Sequence, residues 1–383
     1  MIQMKNQCFS KNTLSKRKEL KHKQKKENRQ NYYFCHLNRR CFVKYLKIIY
    51  CKYKNKMKNN ILEIVFIDEE VQILTDLAKY ITINPIKNTE LYCHQVKNLC
   101  EHIPERIKTY LDNFKKNNKY SCILFKNFPI DLQKIVSTPS TNHDSVGSTT
   151  LFSKIQAILV SYISDIIAYE GECSGYLFQD IVPIESMSKE QVSVGSSIEL
   201  EIHTEQAFSK LKPDLLSLAC LRSNRDAFTY ILPVKHILHH ISKETHDLLL
   251  KPLWNFGIDL SFKINNNEFI DGDIRGPFPI LQYHNNVPYL LFDQNLITGI
   301  TPEANMIIKE LIEIYYNYRL KYCLQSGDIL IINNNIAVHG RSPFKAQYDG
   351  NDRFLVRCFG TYDLDKSLYA RTHNSRVIEA IYS

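Results

Sequence analysis

The stretch 327–344, GDILIINNNIAVHGRSPF, decides how this chain is expected to fold. It opens with a Gly-Asp turn, continues into an apolar run typical of a buried strand, and passes through three asparagines to His339. Similar short apolar runs, separated by Gly, Pro, Asn or Asp, fill the chain from Tyr176 onward; they include SSIELEIHTE, LLSLACLRS, AFTYILPV, VPYLLFDQ and RFLVRCFG. The second half of the chain is therefore predicted to be built mainly of strands.

Helices are predicted mostly before these strands, where apolar residues recur at helical spacing. The predicted helical stretches are 61–83, 91–114, 151–169 and, among the strands, 301–322. Residues 120–125 are predicted as a short buried strand, and the small polar residues 137–150 as a surface loop. Helices first and many strands afterwards indicate an α+β fold, built on an antiparallel barrel or jelly roll with flanking helices.

Basic charge is concentrated at the N-terminal end of the chain. The 383 residues include 49 lysines and arginines against 40 acids, a formal net charge of +9. Residues 1–60 hold 18 of the basic residues and only two acids, Glu19 and Glu27, so they net +16 and the remainder nets −7. This block of like charge predicts a disordered basic arm over residues 1–56, followed by a folded domain over residues 57–383. Because that domain is acidic, the overall charge does not indicate nucleic-acid binding by the folded part.

The eleven cysteines show neither a CxxC pair nor a paired spacing. Two of them, Cys220 and Cys358, lie inside apolar strand-like runs, where a thiol behaves as a small apolar side chain. Free thiols in a reducing, cytoplasmic compartment are therefore predicted, rather than a disulfide framework. No apolar run approaches the roughly 20 residues that cross a bilayer, and lysines interrupt the N-terminal apolar stretches, so no membrane span or signal peptide is predicted.

A His-Thr-Glu sequence supplies the first candidate metal ligands, His203 and Glu205. Residues two apart on a strand face the same side, so an imidazole and a carboxylate would enter the same space. Taken alone, this pair also fits a strand whose polar face meets solvent. A distant histidine, His339, would complete a set of two histidines and one carboxylate, which leaves three positions of an Fe(II) ion open for a 2-oxo acid and O₂.

Around these three residues the sequence resembles a known enzyme family. The segments HTEQAF, KPDLLSLACLR, YLFQDIVP and GDILIINNNIAVHGRSPFKAQYDGNDRFLVRCF are similar to the clavaminate synthase-like branch of the taurine dioxygenase superfamily. The similarity covers roughly residues 60–375. It implies a double-stranded β-helix core, Fe(II) held by His203, Glu205 and His339, and 2-oxoglutarate and O₂ as co-substrates. Amino-acid β-hydroxylases such as the L-asparagine and L-arginine oxygenases belong to this branch.

The resemblance also places the 2-oxoglutarate site. Arg353 follows His339 at the family's spacing of fourteen residues, and a buried arginine suits the far carboxylate of 2-oxoglutarate because its planar fork pairs two oxygens at once. Arg357 lies four residues further, on the same face of a strand, and is expected to assist. Thr229 matches a hydroxyl that contacts the same carboxylate in relatives. A solvent-exposed charge at a strand end is the alternative interpretation of Arg353.

Two acids are candidates for the substrate pocket. Asp293 lies forty-six residues before His339, where amino-acid hydroxylases of the family carry an acid that contacts the substrate, and Glu172 is the nearest match to a second contact. Two acids around one pocket suit a polar or cationic amino acid. Leu291 departs from the arginine-hydroxylase pattern, which has a further acid at that place. Asp271 and Asp273 are possible replacements, although they also fit a simple turn.

The function expected from the resemblance is hydroxylation of a small free L-amino acid near its β-carbon, with release of succinate and CO₂. An oxygenase acting on a carrier-bound amino acid or another small metabolite is the alternative within the same class. A catalytically silent binding protein on the same fold is a hypothesis from another class, and every expected ligand being present argues against it. A nucleic-acid-binding protein is the last alternative, but the basic arm has few aromatics among its lysines and no recognised binding module.

Overall fold

The computed structural model describes residues 60–259 and 275–382, which belong to the compact unit Met57–Ser383. The predicted basic arm over residues 1–56 lies outside the described residues, as do Asp271 and Asp273. No helix in the described ranges combines the length and the apolarity needed to cross a membrane. The seven cysteines of the described ranges are free thiols, in line with the absence of paired spacing in the sequence.

Seven α-helices occur in the described residues, and four of them precede the strand-rich half. They are α1 (Asp68–Tyr80), α2 (Thr89–Leu99), α3 (Glu105–Lys116), α4 (Leu151–Ile163), α5 (Val234–Leu238), α6 (Lys243–Leu249) and α7 (Pro302–Tyr318). Threonine side chains cap two of the helices: Thr150 accepts from the Ser153 N–H at the start of α4, and Thr301 accepts from the Ala304 N–H at the start of α7.

Seventeen strands occur in the described residues. They are β1 (Ile61–Val65), β2 (Cys122–Lys126), β3 (Asp165–Tyr169), β4 (Gln179–Ile181), β5 (Leu200–His203), β6 (Leu215–Arg222), β7 (Thr229–Pro233), β8 (Trp254–Phe256), β9 (Arg275–Phe278), β10 (Leu281–His284), β11 (Val287–Leu290), β12 (Ile297–Gly299), β13 (Leu320–Tyr322), β14 (Ile329–Asn333), β15 (Ala337–Arg341), β16 (Phe354–Thr361) and β17 (Val377–Ile378). Helices first and strands afterwards confirm the predicted α+β class.

The predicted helical stretches were too long, because three of them each contain a strand as well. Residues 61–83 form β1 before α1, residues 151–169 form α4 before β3, and residues 301–322 form α7 before β13. The first two of these strands, ILEIV in β1 and DIIAY in β3, are short apolar runs, and an apolar run of this length fits a helical period and a buried strand equally well. The stretch 91–114 is two helices, since Pro104 disfavours a helical residue before it.

Two sheets organise the described strands. The larger has the strand order β1-β2-β14-β6-β16-β3-β17, with β4 also paired to β16, and the smaller has the order β13-β7-β15-β5. A three-stranded sheet of β12, β8 and β9 and the β10–β11 hairpin complete the set. Asn285 and Asn286, both at positive φ, form the turn of this hairpin.

The central strand β14 shows how the larger sheet is covered on its two faces. Leu330 and Ile332 belong to the same buried apolar cluster as Val338 of the smaller sheet. Their neighbour Ile331 belongs to a second cluster, together with Ile158 of helix α4. Because successive residues of a strand point to opposite faces, one face of the larger sheet packs on helices and the other on the smaller sheet. The space between the two sheets is where the candidate site lies.

Ile331→Ala removes a fully buried side chain from the helix-covered face of β14. We expect the free energy of unfolding to fall by about 2–5 kcal/mol, through lost burial and the cavity left behind. Denaturant titration of the purified protein measures the loss. Val65→Ala, at a position 52% exposed in β1, is the control and should cost well under about 1 kcal/mol. Equal losses in the two variants would contradict this account of the core.

Candidate active site

The pairing of β5 with β15 brings two histidines together. These strands are antiparallel, and His203 lies directly opposite His339, with ring centroids 4.2 Å apart. Gly340 permits the close approach of the strands, because a Cβ at this position would lie 2.7 Å from the Leu200 carbonyl oxygen of β5. The backbone register therefore sets the separation of the two imidazoles.

Glu205 does not lie on β5, which ends at His203. It lies in the turn that follows, so His203 and Glu205 do not share one face of a strand as the sequence predicted. Instead, Asn334 fixes the turn: its side-chain oxygen accepts from the Glu205 N–H at 2.8 Å, and its amide donates to the carbonyls of Glu205 and Pro213 at 3.1 and 2.8 Å. Asn334, the middle one of the three asparagines, thus holds the backbone of Glu205 beside the two histidines.

His203, Glu205 and His339 place one ligand atom each within 4.8 Å of one another, and they form the only such group found in the described residues. Glu205 Oε2 lies 3.1 Å from His339 Nε2 and 3.7 Å from His203 Nε2. Ligand atoms on one face of a metal ion lie about 3 Å apart, so this spacing fits a single shared ion. The donor set of two imidazoles and one carboxylate is the one that non-haem Fe(II) uses.

Burial and mutual contacts set the protonation of these three groups. Burial would raise the pKa of Glu205, but Arg357 and the two histidines hold it well below its usual value. Burial lowers the pKa of His339 to about 4, helped by the charge of His203. Burial would also lower the pKa of His203, yet the close approach and the negative charge of Glu205 raise it to about 9. An ionised Glu205 and a neutral His339 are the forms that bind metal.

A hydrogen bond to the backbone orients the ring of His203. Its Nδ1 donates to the Glu201 carbonyl oxygen at 2.7 Å, which leaves Nε2 directed toward Glu205. Such a bond fixes both the tautomer and the tilt of a ligand imidazole. The Nδ1 of His339 is buried without a partner among the described residues, so strand β15 itself must orient that ring.

Arg357 links the candidate ligand Glu205 to a second buried carboxylate. It lies on β16 between Leu355 and Phe359, both of which face the space between the sheets. Its Nη1 donates to Glu205 Oε1 at 2.8 Å, its Nη2 contacts Glu172 Oε1, and its Nε donates to Gln179 Oε1 at 2.8 Å.

Glu172 is held from two sides. Its Oε1 contacts Arg357, and its Oε2 accepts from Gln206 Nε2 at 3.0 Å. Burial raises the pKa of Glu172 to about 7, against the opposing charge of Arg357. Both Glu172 and Arg357 line the same cavity as the two histidines. Glu172 and Arg357, both predicted from the sequence as site residues, thus form an ion pair with each other.

Arg353 differs from Arg357 in having no ion-pair or hydrogen-bond partner among the described residues. It lies just before β16, is only 6% exposed, and lines the cavity of the two histidines together with Thr229. Burial lowers the pKa of its guanidinium to about 10. Thr229 begins β7 opposite Arg341 in register and is also buried. The cavity therefore contains a desolvated cation with a buried hydroxyl group lining the same space.

Asp293 lies directly across from His203, through an isolated antiparallel bridge between the two residues. Its Oδ1 accepts from the N–H groups of Asn295 and Leu296 at 2.9 and 3.0 Å, which fixes the carboxylate in place. Burial raises its pKa to about 7, while the charge of His203 opposes the rise. Asp293 lines the same cavity as the histidines.

Several residues that line the cavity were not predicted from the sequence. Glu201, Gln206 and Asp259 all line the cavity of the two histidines, and Asn334 holds Glu205. The alternation of SSIELEIHTE does place Glu201 two residues before His203, on the same strand face. Asp259 carries no such pattern, because only the tertiary structure brings it to the cavity.

Comparison with known proteins places the chain in a family. The family model described as taurine catabolism dioxygenase TauD, TfdA family matches residues 178–359. L-lysine 3-hydroxylase of Catenulispora acidiphila is 36% identical over 84% of this chain and 89% of its own length. L-asparagine oxygenase of Streptomyces coelicolor is 28% identical over 72% of this chain and 82% of its own length.

A solved structure extends the comparison to three dimensions. The asparagine oxygenase in complex with Fe(II), (2S,3S)-3-hydroxyasparagine and succinate superimposes with a TM-score of 0.77 at 26% identity, covering 83% of this chain and 99% of that one. The range matched by the family model, residues 178–359, contains all three candidate metal ligands and Arg353. The chain therefore belongs to the TauD, TfdA family and is an Fe(II)- and 2-oxoglutarate-dependent dioxygenase.

Proposed function

We propose that this dioxygenase hydroxylates a small free L-amino acid near its β-carbon, with release of succinate and CO₂. The observation that carries the amino-acid part is the buried ion pair of Arg357 and Glu172, which lines the same cavity as His203 and His339. A guanidinium and a carboxylate side by side are complementary to the carboxylate and the ammonium of one amino acid. The relatives that act on L-lysine and L-asparagine support the same class of substrate.

We propose His203, Glu205 and His339 as the iron ligands. When bound there, Fe(II) would supply the activation of O₂ that is coupled to oxidative decarboxylation of 2-oxoglutarate. The protein's own part is to hold the ion from one side, to place a substrate C–H bond near it, and to exclude water from the space between the sheets. We also infer that the two sheets form the double-stranded β-helix implied by the sequence, and that the oxygenase domain spans residues 57–383.

Arg353 is proposed to bind the far carboxylate of 2-oxoglutarate. A buried guanidinium without a protein partner is costly, and a bidentate carboxylate offsets that cost. The hydroxyl of Thr229, which lines the same cavity, can donate a further hydrogen bond. Arg357 is already in contact with Glu205 and Glu172, so we propose that it orients Glu205 and receives the carboxylate of the amino acid. Assistance by Arg357 to 2-oxoglutarate stays a prediction.

The side chain of the substrate is proposed to be cationic or an amide. Asp293 offers a fixed, partly buried carboxylate across from His203, and Glu201 and Asp259 add negative charge to the same cavity. Such carboxylates favour a substrate group with N–H donors. Leu291 packs against the apolar core instead of adding an acid, so arginine is not the first choice. We propose L-lysine first, and L-asparagine and L-arginine after it.

The test is anaerobic reconstitution with Fe(II) and 2-oxoglutarate, followed by exposure to air with each member of an amino-acid panel. We expect succinate and a product one oxygen atom heavier with a polar or cationic L-amino acid. Turnover of apolar amino acids alone would contradict the proposal, and so would the absence of turnover with every member of the panel.

The iron site is tested by removing one histidine at a time. His203→Ala and His339→Ala should each abolish stoichiometric Fe(II) binding and succinate formation, because two remaining ligands chelate a labile ion too weakly. Iron content after gel filtration and succinate release measure the two effects. His246→Ala, which changes a histidine outside the cavity that contacts Tyr283, is the control and should retain both. A His203 or His339 variant with full iron content would refute the ligand assignment.

The 2-oxoglutarate site is tested with Arg353→Lys. The lysine keeps the charge but loses the two-pronged contact, so the KM for 2-oxoglutarate should rise about ten- to a hundred-fold. Arg357→Lys should raise it less, and should raise the KM for the amino acid more. Steady-state kinetics in each substrate separate these effects. Arg376→Lys is the matched control, since Arg376 pairs with Glu90 and Asp165 away from the cavity; an unchanged KM in Arg353→Lys would sink the assignment.

The substrate pocket is tested with Asp293→Ala. Product formation from the best amino acid of the panel should fall about ten- to a hundred-fold, because a charged hydrogen-bond partner is lost, while slow uncoupled succinate formation persists. The ratio of hydroxylated product to succinate is the measurement. Asp247→Ala, at an exposed acid beside His246, should leave that ratio unchanged. Fully coupled turnover in Asp293→Ala would show that this carboxylate does not contact the substrate.

A further inference from the structure

We propose that Gln206 is a substrate-binding residue, whose side-chain carbonyl oxygen accepts a hydrogen bond from the α-ammonium group of the amino acid. It directly follows Glu205 in the chain and lines the same cavity as the two candidate histidine ligands. The inference rests on the proposed function, because it presupposes an amino-acid substrate.

The backbone of Gln206 is the first observation. Its φ is +52°, in the left-handed region that residues with a Cβ rarely adopt. Residues in this region persist where the surroundings impose the conformation, and they are concentrated at ligand-binding and catalytic sites. Here the conformation turns the chain directly after Glu205 and leaves the Gln206 side chain buried at the cavity, only 7% exposed.

The orientation of the Gln206 amide is the second observation. Its Nε2 donates to Glu172 Oε2 at 3.0 Å, while Arg357 contacts the other oxygen of that carboxylate. The amide oxygen must therefore point the other way. That oxygen is buried and has no hydrogen-bond partner among the described residues. A buried acceptor left empty is unfavourable, so the site is complete only when a donor arrives.

The chemistry of the neighbours identifies the donor. Glu172 lies in hydrogen-bond contact with Gln206 on one side and with Arg357 on the other. An amino acid that places its carboxylate on Arg357 brings its α-ammonium, with three N–H donors, next to Glu172 and the adjacent amide oxygen. Because the amide is neutral, Gln206 supplies this acceptor without adding a third negative charge beside Glu172 and Glu205, which already repel each other.

The experiment compares three probes that differ in their amino groups. L-lysine has both amines, 6-aminohexanoate lacks the α-amine, and L-norleucine lacks the side-chain amine. Their Kd values are measured by anaerobic calorimetry on the Fe(II)- and 2-oxoglutarate-loaded protein and on its Gln206→Met variant, which keeps the length of the side chain but not the acceptor. We expect the Kd of L-lysine and of L-norleucine to rise by the same factor, about ten- to a hundred-fold, and that of 6-aminohexanoate to stay within about two-fold.

Two further variants test whether the change in Kd is specific to the Gln206 amide. Gln206→Asn, which tolerates the left-handed backbone but holds its amide one methylene short, should shift the same two probes. Gln191→Met is the matched control: Gln191 lines the same cavity, but its amide is used on the backbone of Glu201 and Glu199, so the ratio of the Kd values of lysine and 6-aminohexanoate should not change.

The outcomes separate the two levels of the proposal. If Gln206→Met weakens all three probes alike, or weakens none, Gln206 is structural and the inference is overturned. If the wild-type protein hydroxylates amino acids and the Kd ratio is unaffected, only this inference falls. If the wild-type protein binds and turns over no amino acid, the proposed function falls, and the inference falls with it.

Discussion

The antiparallel register of β5 and β15 is the constraint on which the site depends. It places His203 opposite His339, and a shift by one residue would turn every side chain of the strand to the other face of the sheet. The same register brings the turn after β5 next to the asparagine turn before β15, where Asn334 holds the backbone of Glu205. Two imidazoles and a carboxylate from distant parts of the chain thus acquire fixed positions from backbone pairing and a single amide side chain.

The space between the sheets holds several charged groups inside an otherwise apolar core. Arg357 projects between Leu355 and Phe359 on β16 and meets two carboxylates. Burying such ions costs several kcal/mol each unless they are paired, and removing one partner of a buried pair typically costs about 3–5 kcal/mol. These buried charges therefore lower the stability of the fold between the sheets, which is common where binding requires pre-oriented polar groups. Arg353, which lacks a pairing partner among the described residues, is the clearest instance of this cost.

Much of the candidate site could be predicted from the sequence because the candidate metal ligands carry local patterns. The spacing of His203 and Glu205, and the apolar strand that leads to His339, are visible without a structure, and the cavity indeed brings them together with Asp293 and Arg353. The α+β class follows from the order of the periodic segments. Helix limits were less accurate, because runs such as DIIAY in β3 satisfy a helix and a strand equally.

Other features of the site could not be predicted, because they arise only in the folded chain. The pairing of Arg357 with Glu172 depends on the packing of β16 against the segment after β3, residues nearly two hundred positions apart in sequence. The left-handed conformation of Gln206 has no compositional sign, since glutamine is not a residue that favours it. The place of Asp259 in the cavity is likewise a product of tertiary structure.

The hydrogen bond from Arg357 to Glu205 has a consequence for coordination number. Arg357 occupies Oε1, while Oε2 faces the two histidines. If Glu205 is an iron ligand, as proposed, Oε2 would face the ion while Oε1 stays on Arg357, so Glu205 would bind through one oxygen and the protein would contribute three donors rather than four. An octahedral ion held in this way would keep three neighbouring positions free, which is the number that a chelating 2-oxo acid and one O₂ molecule require. The Arg357 guanidinium would thus limit the number of coordination positions that the protein occupies.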